Sequence, residues 1–364
     1  MDIIRTRPQP ACILCCRLGV DLYRNLADRL FGVGGSWSFK QCSDPSCGLV
    51  WLDPMPLTED LGKAYANYYT HAAPPSPQRD GHSSALKQYC RNAQSLYVRR
   101  RFGYANGRAS GFAHCLGGLL HFYRTEASST FLASVPGGKL LDVGCGSGAY
   151  LAAMRHLGWA VAGVDFDPAA VAAARRAGLD VNCGSLEAQQ YPAAAFDAVA
   201  LSHVVEHLPD PVATLQECAR ILKPGGRLLL FTPNTASLGH RLFREDWRGL
   251  EPPRHLFLFS AGSMDRLLRQ AGFAAVTIRP QVGSSLIYES SLLRRGVSGP
   301  FAGPRRHQSA RLLAHVVALL EMGLQPWQPR LADCLGVMAV KHYEAHSSMP
   351  LSEVCLAAHT GLFS

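Results

Sequence analysis

The run Lys139-Leu140-Leu141-Asp142-Val143-Gly144-Cys145-Gly146-Ser147-Gly148 constrains this chain more than any other stretch. Leu140 to Val143 is short and apolar, the pattern of a strand buried in a parallel sheet. Glycines at alternate positions follow, and Ala149 to Leu157 then reads as a helix. Strand, glycine turn, helix is the opening unit of a doubly wound sheet. The glycines let the backbone pass close under a ligand, and the helix start offers free N–H groups.

The glycine turn alone leaves the ligand open. Gly144, Gly146 and Ala149 also satisfy the looser dinucleotide pattern G-x-G-x-x-G/A. Two neighbours sharpen the reading. A second apolar run, Ala160 to Val164, ends in Asp165, whose carboxylate can accept both hydroxyls of a ribose. Asp142 sits at the first strand end, where a pyrophosphate would meet an uncompensated negative charge and an ammonium would be favoured. S-adenosylmethionine (SAM) carries a ribose, an adenine and an ammonium but no phosphate. The site is read as a SAM site, with NAD as the alternative.

Strands and helices alternate from residue 139 onward. Asp167-Pro168 caps a helix to Ala177, and Val181 to Leu186 is a third strand and its end. Phe196 to Ser202 is the fourth strand, and Asp210-Pro211 opens a helix to about Leu222. Lys223-Pro224-Gly225-Gly226 turns into a fifth strand, Arg227 to Thr232. Ser260 to Ala271 is a helix, Ala274 to Arg279 a strand, and Cys334 to Lys341 a last strand. This alternation predicts an α/β fold, a doubly wound and mostly parallel sheet with helices on both faces. Ligands then sit at the carboxyl ends of the strands, which carry Asp142, Asp165, Gly184-Ser185 and Ser202-His203.

A second pattern lies near the N-terminus. Cys12-Ile-Leu-Cys15 is a C-x-x-C pair and Cys42-Ser-Asp-Pro-Ser-Cys47 a C-x4-C pair, with the alternating stretch Ser36 to Lys40 between them. Two cysteine knuckles joined by a small sheet predict a zinc-ribbon-like domain with a closed, structural zinc site on Cys12, Cys15, Cys42 and Cys47. The alternative is four unpaired buried cysteines, and Cys16 blurs which thiols of the first knuckle bind. A zinc ion would hold together a segment too small to have a core of its own.

At 364 residues the chain has room for roughly two domains. The expected boundaries are 1–70 for the zinc-ribbon-like domain and 71–135 for a linker and helical segment. The main domain follows at 136–342, with a helical insertion at 282–333, and 343–364 is a C-terminal tail. Twelve cysteines with no apolar leader after Met1 argue for thiols in a reducing, cytoplasmic setting rather than a disulfide framework. No apolar run reaches the ~18 residues of a membrane span, so membrane contact is at most peripheral. The net charge of +9 permits an anionic partner. The basic residues are scattered rather than striped with interleaved aromatics, so nucleic acid is not expected.

The stretch His203-Val204-Val205-Glu206-His207-Leu208-Pro209-Asp210-Pro211 matches the H-x-x-E-H pattern of one zinc peptidase class. That chemistry needs a continuing helix, which Pro209 and Pro211 prevent. Glu206 and His207 instead suit acid/base work beside the cofactor. Methyl transfer from a sulfonium is an in-line displacement, and a hydroxyl or carbon acid acceptor must lose a proton. His207 has the ordinary pKa for that, with Glu206 to orient or assist it. A purely structural histidine at the turn is the alternative. His203 and Ser202 are expected to line the cofactor site. On the substrate side, the three tyrosines Tyr65, Tyr68 and Tyr69 could wall a polar acceptor, with Tyr68 and Tyr69 as its expected contacts. Trp247, Arg254 and His255, in the proline-stiffened loop Trp247 to Phe257, suit a polar or anionic one. For the tyrosines the competing role is packing against the neighbouring domain, and for the loop it is merely closing the pocket.

As a set, Leu141 to Gly148, Val164-Asp165, Phe196 to Val199 through Glu206-His207-Leu208-Pro209-Asp210-Pro211, and Leu222-Lys223-Pro224-Gly225-Gly226 resemble the class I SAM-dependent methyltransferases. The resemblance covers about residues 139–280. It implies a seven-stranded Rossmann-like sheet with the last strand antiparallel, a place Cys334 to Lys341 fits. It also implies that Gly144, Cys145, Gly146 and Gly148 hold the methionine part, Asp165 the ribose, and Phe166, Ser185 and Leu186 the adenine. The N-terminal cysteines followed by Cys47-Gly48-Leu49-Val50 and the tyrosine segment resemble a narrower subgroup. This is a set of bacterial methyltransferases with a small zinc-binding domain, including sugar C-methyltransferases that use a Glu-His pair and a nearby tyrosine. The implied acceptor is a nucleotide-linked or polysaccharide sugar. A quinone-type or other small-molecule O-methyl transfer, an RNA methyl transfer and a non-catalytic SAM-binding module remain as alternatives.

Overall fold

The computed structural model describes residues 3–65, 89, 92–93, 96–97, 99–100, 102–104, 132–281, 285–299, 307–324 and 327–341. The chain forms two compact units, residues 1–68 with 201–364, and residues 69–200. The tyrosines Tyr68 and Tyr69, the expected linker and the tail from 343 lie outside the described residues, as does most of the expected helical segment before 132.

The first unit begins with short strands β1 (Thr6–Arg7), β2 (Gly19–Leu26), β3 (Trp37–Cys42), β4 (Val50–Leu52) and β5 (Met55–Pro56). β1 pairs with β5, and β2, β3 and β4 form an antiparallel meander. Phe39, Trp51 and Leu52 are fully buried in it, and each fully buried side chain of this size contributes about 2–3 kcal/mol.

The second unit holds β6 (Lys139–Val143), α1 (Ala149–His156), β7 (Ala160–Asp165), α2 (Pro168–Arg176) and β8 (Val181–Cys183). β6 pairs parallel with β7, and β7 with β8. The Asp167 side chain accepts the Ala169 amide at the start of α2, with Pro168 in the first turn. Cys145, Leu151, Val171, Ala174, Leu179 and Val181 close one core between strands and helices. A Cβ on Gly163 would lie 2.7 Å from both Cys145 Sγ and Leu151 Cδ1, so only glycine lets β7 approach that layer. β9 (Phe196–Ser202) follows.

Returning to the first unit, α3 (Pro211–Ile221), β10 (Leu222–Pro233), α4 (Leu238–Phe243), β11 (Phe257–Leu258), α5 (Ala261–Gln270), β12 (Phe273–Gln281), α6 (Ser285–Arg294), α7 (Gln308–Leu324) and β13 (Cys334–Lys341) follow among the described residues. β13 runs antiparallel to both β10 and β12. Seven strands in the order β12-β13-β10-β9-β6-β7-β8 make one mixed, mostly parallel sheet.

This is the predicted α/β fold, with local differences. β10 begins at Leu222 rather than Arg227, so the Lys223–Gly226 turn is absorbed into the strand. The third strand stops at Cys183. The N-terminal meander is not self-contained, because β11 pairs antiparallel with β4, Phe257 opposite Trp51 and Leu258 opposite Val50. Residues far along the chain thus supply the fourth strand of the N-terminal sheet. In α7, Ala310, Ala314, Val317 and Glu321 are buried, while Leu312, Val316, Leu319 and Leu320 are exposed. No helix among the described residues is long and apolar enough to cross a membrane.

Candidate functional site

In the second unit the strand ends gather two carboxylates around a glycine turn. The Gly144 amide donates to Val164 O at 2.7 Å, fastening the turn to β7. Gly146 adopts φ +53°, and nothing lies within 4 Å of where its Cβ would be. A side chain there would fill the open space above the backbone. Asp165 Oδ2 accepts from the Gly146 amide at 2.7 Å, and Oδ1 from the Asp167 amide at 2.9 Å. Each oxygen keeps a lone pair for a further donor. Burial raises its pKa above the ordinary range.

Asp142 is almost wholly buried. Burial, and then the like charge of Asp165, push its carboxyl up to about 8. An ammonium placed beside Asp142 would relieve that cost, and a pyrophosphate would raise it. The open cradle and the carboxylate pair therefore fit SAM better than NAD. Cys145 is buried beneath the turn, and Gly148, with φ +84°, precedes α1. Phe166 is 55% exposed, Ser185 is exposed, and Leu186 is buried.

In the first unit, Val205–His207 form a single 3-10 turn after β9, and His203 takes φ 54°. The five residues do not lie in a continuing α-helix, which removes the geometry a peptidase reading of H-x-x-E-H requires. Glu206 is fully buried. Its Oε2 accepts from Thr232 Oγ1 at 3.1 Å, and Oε1 lies 3.3 Å from His203 Nδ1. Burial pushes this carboxyl up, but the His203 hydrogen bond and the charges of His207, His203 and His255 outweigh it and hold it down at about 2.

His207 Nδ1 lies 3.0 Å from Arg254 O and 3.0 Å from Tyr65 Oη. A carbonyl only accepts, so Nδ1 carries the proton, and the neutral ring presents its lone pair at Nε2. That is the tautomer a proton acceptor needs. The Tyr65 ring meets His207 edge-on, with centroids 6.0 Å apart, and the His255 ring does so at 4.7 Å. Tyr65 is the tyrosine that the described structure brings to this group. Its pKa is raised, first by burial and then by Glu251.

The loop Trp247 to Phe257 packs on the turn after β9, where the Leu256 amide donates to Glu206 O at 2.7 Å. Trp247, Arg254 and His255 are buried within the first unit. Trp247 stacks on His240 at 4.6 Å. Arg254 bonds Asp28 through both terminal nitrogens at 2.9 Å and Glu251 through Nε at 2.9 Å, and its guanidinium lies over the Phe31 ring. Its donors are used internally, so it is a buried ion-pair hub and not an open anion receptor. His255 Nδ1 donates to Gly249 O at 2.6 Å, and burial lowers its pKa to about 4. The physical reason is charge balance. Glu251 bonds both Arg248 and Arg254, and a buried carboxylate of this kind requires such partners. Glu206, His207 and His255 each place one potential ligand atom within 4.8 Å of the others. Both oxygens of Glu206 already have partners, so the trio is accounted for as a hydrogen-bonded group.

The sulfurs of Cys12, Cys15, Cys42 and Cys47 lie within 4.8 Å of one another. Cys12 and Cys47 approach to 3.7 Å, and Cys15 and Cys42 to 3.3 Å. The Cys12 contact pulls the Cys47 thiol down to about 6, while burial pushes Cys42 up to about 12. Leu14 and Asp44 turn their amides toward Cys12 and Cys42 sulfur at 3.4 Å, as in a thiolate-rich knuckle. Four convergent sulfurs fit a tetrahedral zinc site, and Cys16 is not one of the four.

Residues 119–278 match the profile of the family described as "Methyltransferase domain". A ubiquinone biosynthesis O-methyltransferase of Xanthomonas campestris pv. campestris (strain B100) is 42% identical over 109 residues, 28% of this chain and 45% of that protein. One from Thiobacillus denitrificans is 38% identical over 109 residues, 28% of this chain and 47% of that protein. The chain thus spans under half the length of these curated relatives. A SAM-dependent methyltransferase structure from Archaeoglobus fulgidus has 20% identity and a TM-score of 0.42, covering 61% of this chain and 94% of that one. One from Mesorhizobium loti has 18% identity and a TM-score of 0.42, covering 61% and 97%. These structural likenesses add nothing to the strand order already described.

Proposed function

We propose that this protein is a SAM-dependent methyltransferase acting on a small-molecule or glycan-linked acceptor, first of all a nucleotide-linked or polysaccharide sugar. The match of residues 119–278 to a methyltransferase domain supports the reaction class. The observation that carries the cofactor assignment is the buried Asp142 carboxyl, pushed up to about 8 beside an open glycine cradle. Gly144, Cys145, Gly146 and Gly148 take the methionine part, with Asp142 facing its ammonium. Asp165 takes the ribose, and Phe166, Ser185 and Leu186 take the adenine. Ser202 and His203 complete the cofactor-side set.

When bound, SAM supplies a methyl group on a sulfonium, and the chain must supply alignment and proton removal. His207 takes the acceptor proton at Nε2, because its Nδ1–H is held by Arg254 O. Glu206, ionised and buried, places its negative charge close to the imidazole that takes the proton. The Tyr65 hydroxyl, 3.0 Å from the same Nδ1, helps to fix the ring. Trp247, Arg254 and His255 act behind this group as positioning residues. Tyr68 and Tyr69 remain proposed acceptor contacts. Cys12, Cys15, Cys42 and Cys47 hold a structural zinc that braces the meander.

A quinone-type O-methyl transfer is the second reading, favoured by the name of the curated relatives. The experiment that tests the proposal incubates the protein with methyl-labelled SAM and panels of nucleotide sugars and phenolic quinone precursors. Label transfer to a sugar supports the first reading, transfer to a phenol the second, and transfer to neither with intact SAM binding supports a non-catalytic module.

A further inference from the structure

Beside the second cysteine knuckle, the first unit contains a cavity of about 760 Å³ that the reaction scheme above does not use. Its walls come from the end of β3, the loop after Cys42, the residues following β10, α4 and the start of α5. Arg241 and Arg330 both line it, and no carboxylate does among the described residues. Both arginines are exposed, and neither has a carboxylate partner among the described residues. The nearby Asp44 is committed to Ser46 and Arg266. The polar residues Gln41 and Thr235 belong to the same lining.

We propose that this cavity binds the phosphorylated end of a small organic ligand. Two arginines lining one space put like charges around it, and a dianion offsets that charge while able to take bidentate hydrogen bonds from a guanidinium. The volume decides between a bare ion and a larger molecule. It falls in the ~300–1,000 Å³ range of organic ligand sites, well beyond what an inorganic phosphate fills. The ligand is therefore a phosphate or pyrophosphate ester, its anionic end on Arg241 and Arg330 and its body along the knuckle. The zinc-ribbon-like meander acquires a second role here, because the loop between Cys42 and Cys47 supplies Pro45 and Ser46 to the wall. Identifying this ester with the methyl acceptor rests on the methyltransferase reading, but the anion site does not.

The test titrates the full-length, zinc-replete protein with inorganic pyrophosphate by calorimetry at physiological salt, alongside the double variant Arg241→Gln/Arg330→Gln. SAM is titrated into the same two samples. Both arginines are exposed, so the variant is expected to fold, and equal zinc content and SAM affinity check this. Saturable pyrophosphate binding by the wild type, weakened about tenfold or more in the variant, is the expected result. No saturable binding, or equal binding by both, overturns the site. Pyrophosphate bound without SAM leaves the anion site standing and removes the methyltransferase reading, whereas SAM bound without pyrophosphate does the reverse.

Discussion

Asp142→Asn isolates the electrostatic cost built into the cofactor site. An ordinary aspartate titrates at ~3.9, whereas burial and the neighbouring Asp165 push Asp142 up to about 8. Between these values the folded state binds more protons than the unfolded one, so stability falls as pH rises from about 4 to about 8 and levels off above. A gap of about four pKa units corresponds to about 5 kcal/mol once the group is fully ionised, an upper bound because a charged site relaxes and admits water. Asparagine cannot ionise, so the variant escapes this loss. Urea unfolding of the zinc-loaded, SAM-free protein at pH 5 and pH 8.5 reads the effect. The stability of Asp142→Asn relative to wild type should rise between the two pH values by up to roughly 4 kcal/mol. The same substitution should weaken SAM binding, because the carboxylate that destabilises the apo site is the counter-charge for the ligand's ammonium. A difference between variant and wild type that stays constant with pH would refute the reasoning.

Four further outcomes follow from the same structure. Asp165→Ala should abolish SAM binding while the fold, read by circular dichroism, survives; unchanged affinity removes the ribose assignment. His207→Ala should lower kcat by about 10²–10⁴, the usual contribution of a general base, with SAM affinity unchanged; undiminished turnover takes His207 out of the mechanism. Metal analysis should find about one zinc per chain, and a metal-free, fully folded protein contradicts the cysteine site. Arg254→Met should destabilise the protein by about 3–5 kcal/mol, because Asp28 is left as a buried charge without its arginine and Glu251 loses one of its two; a loss under 1 kcal/mol in urea unfolding rejects the ion-pair hub.

Much of the sheet was legible because its signals are local. The Leu140–Val143 run, the glycine turn, the Asp167-Pro168 and Asp210-Pro211 caps and the Cys334–Lys341 strand each rest on neighbouring residues, and each has its element. What was not legible depends on distant partners. Nothing in Phe257-Leu258 announces that they extend a sheet begun some two hundred residues earlier. Arg254 and His255 read as loop residues suited to an anion, but Asp28, Glu251 and Gly249 O claim their polar groups inside the fold. Tyr65, Tyr68 and Tyr69 read alike in sequence, and only the fold brings the Tyr65 hydroxyl to His207. Arg241 and Arg330 are isolated basic residues in sequence, and their common cavity exists only once β10, α4 and the residues before β13 are in place.

The central claim is that the glycine turn with Asp142 and Asp165 is a SAM site. Calorimetric titration of the purified protein with SAM and, separately, with NAD tests it most directly. The account predicts saturable binding of SAM and none of NAD. Saturable binding of NAD without SAM would contradict it, and would mean that the buried charge at Asp142 tolerates a pyrophosphate.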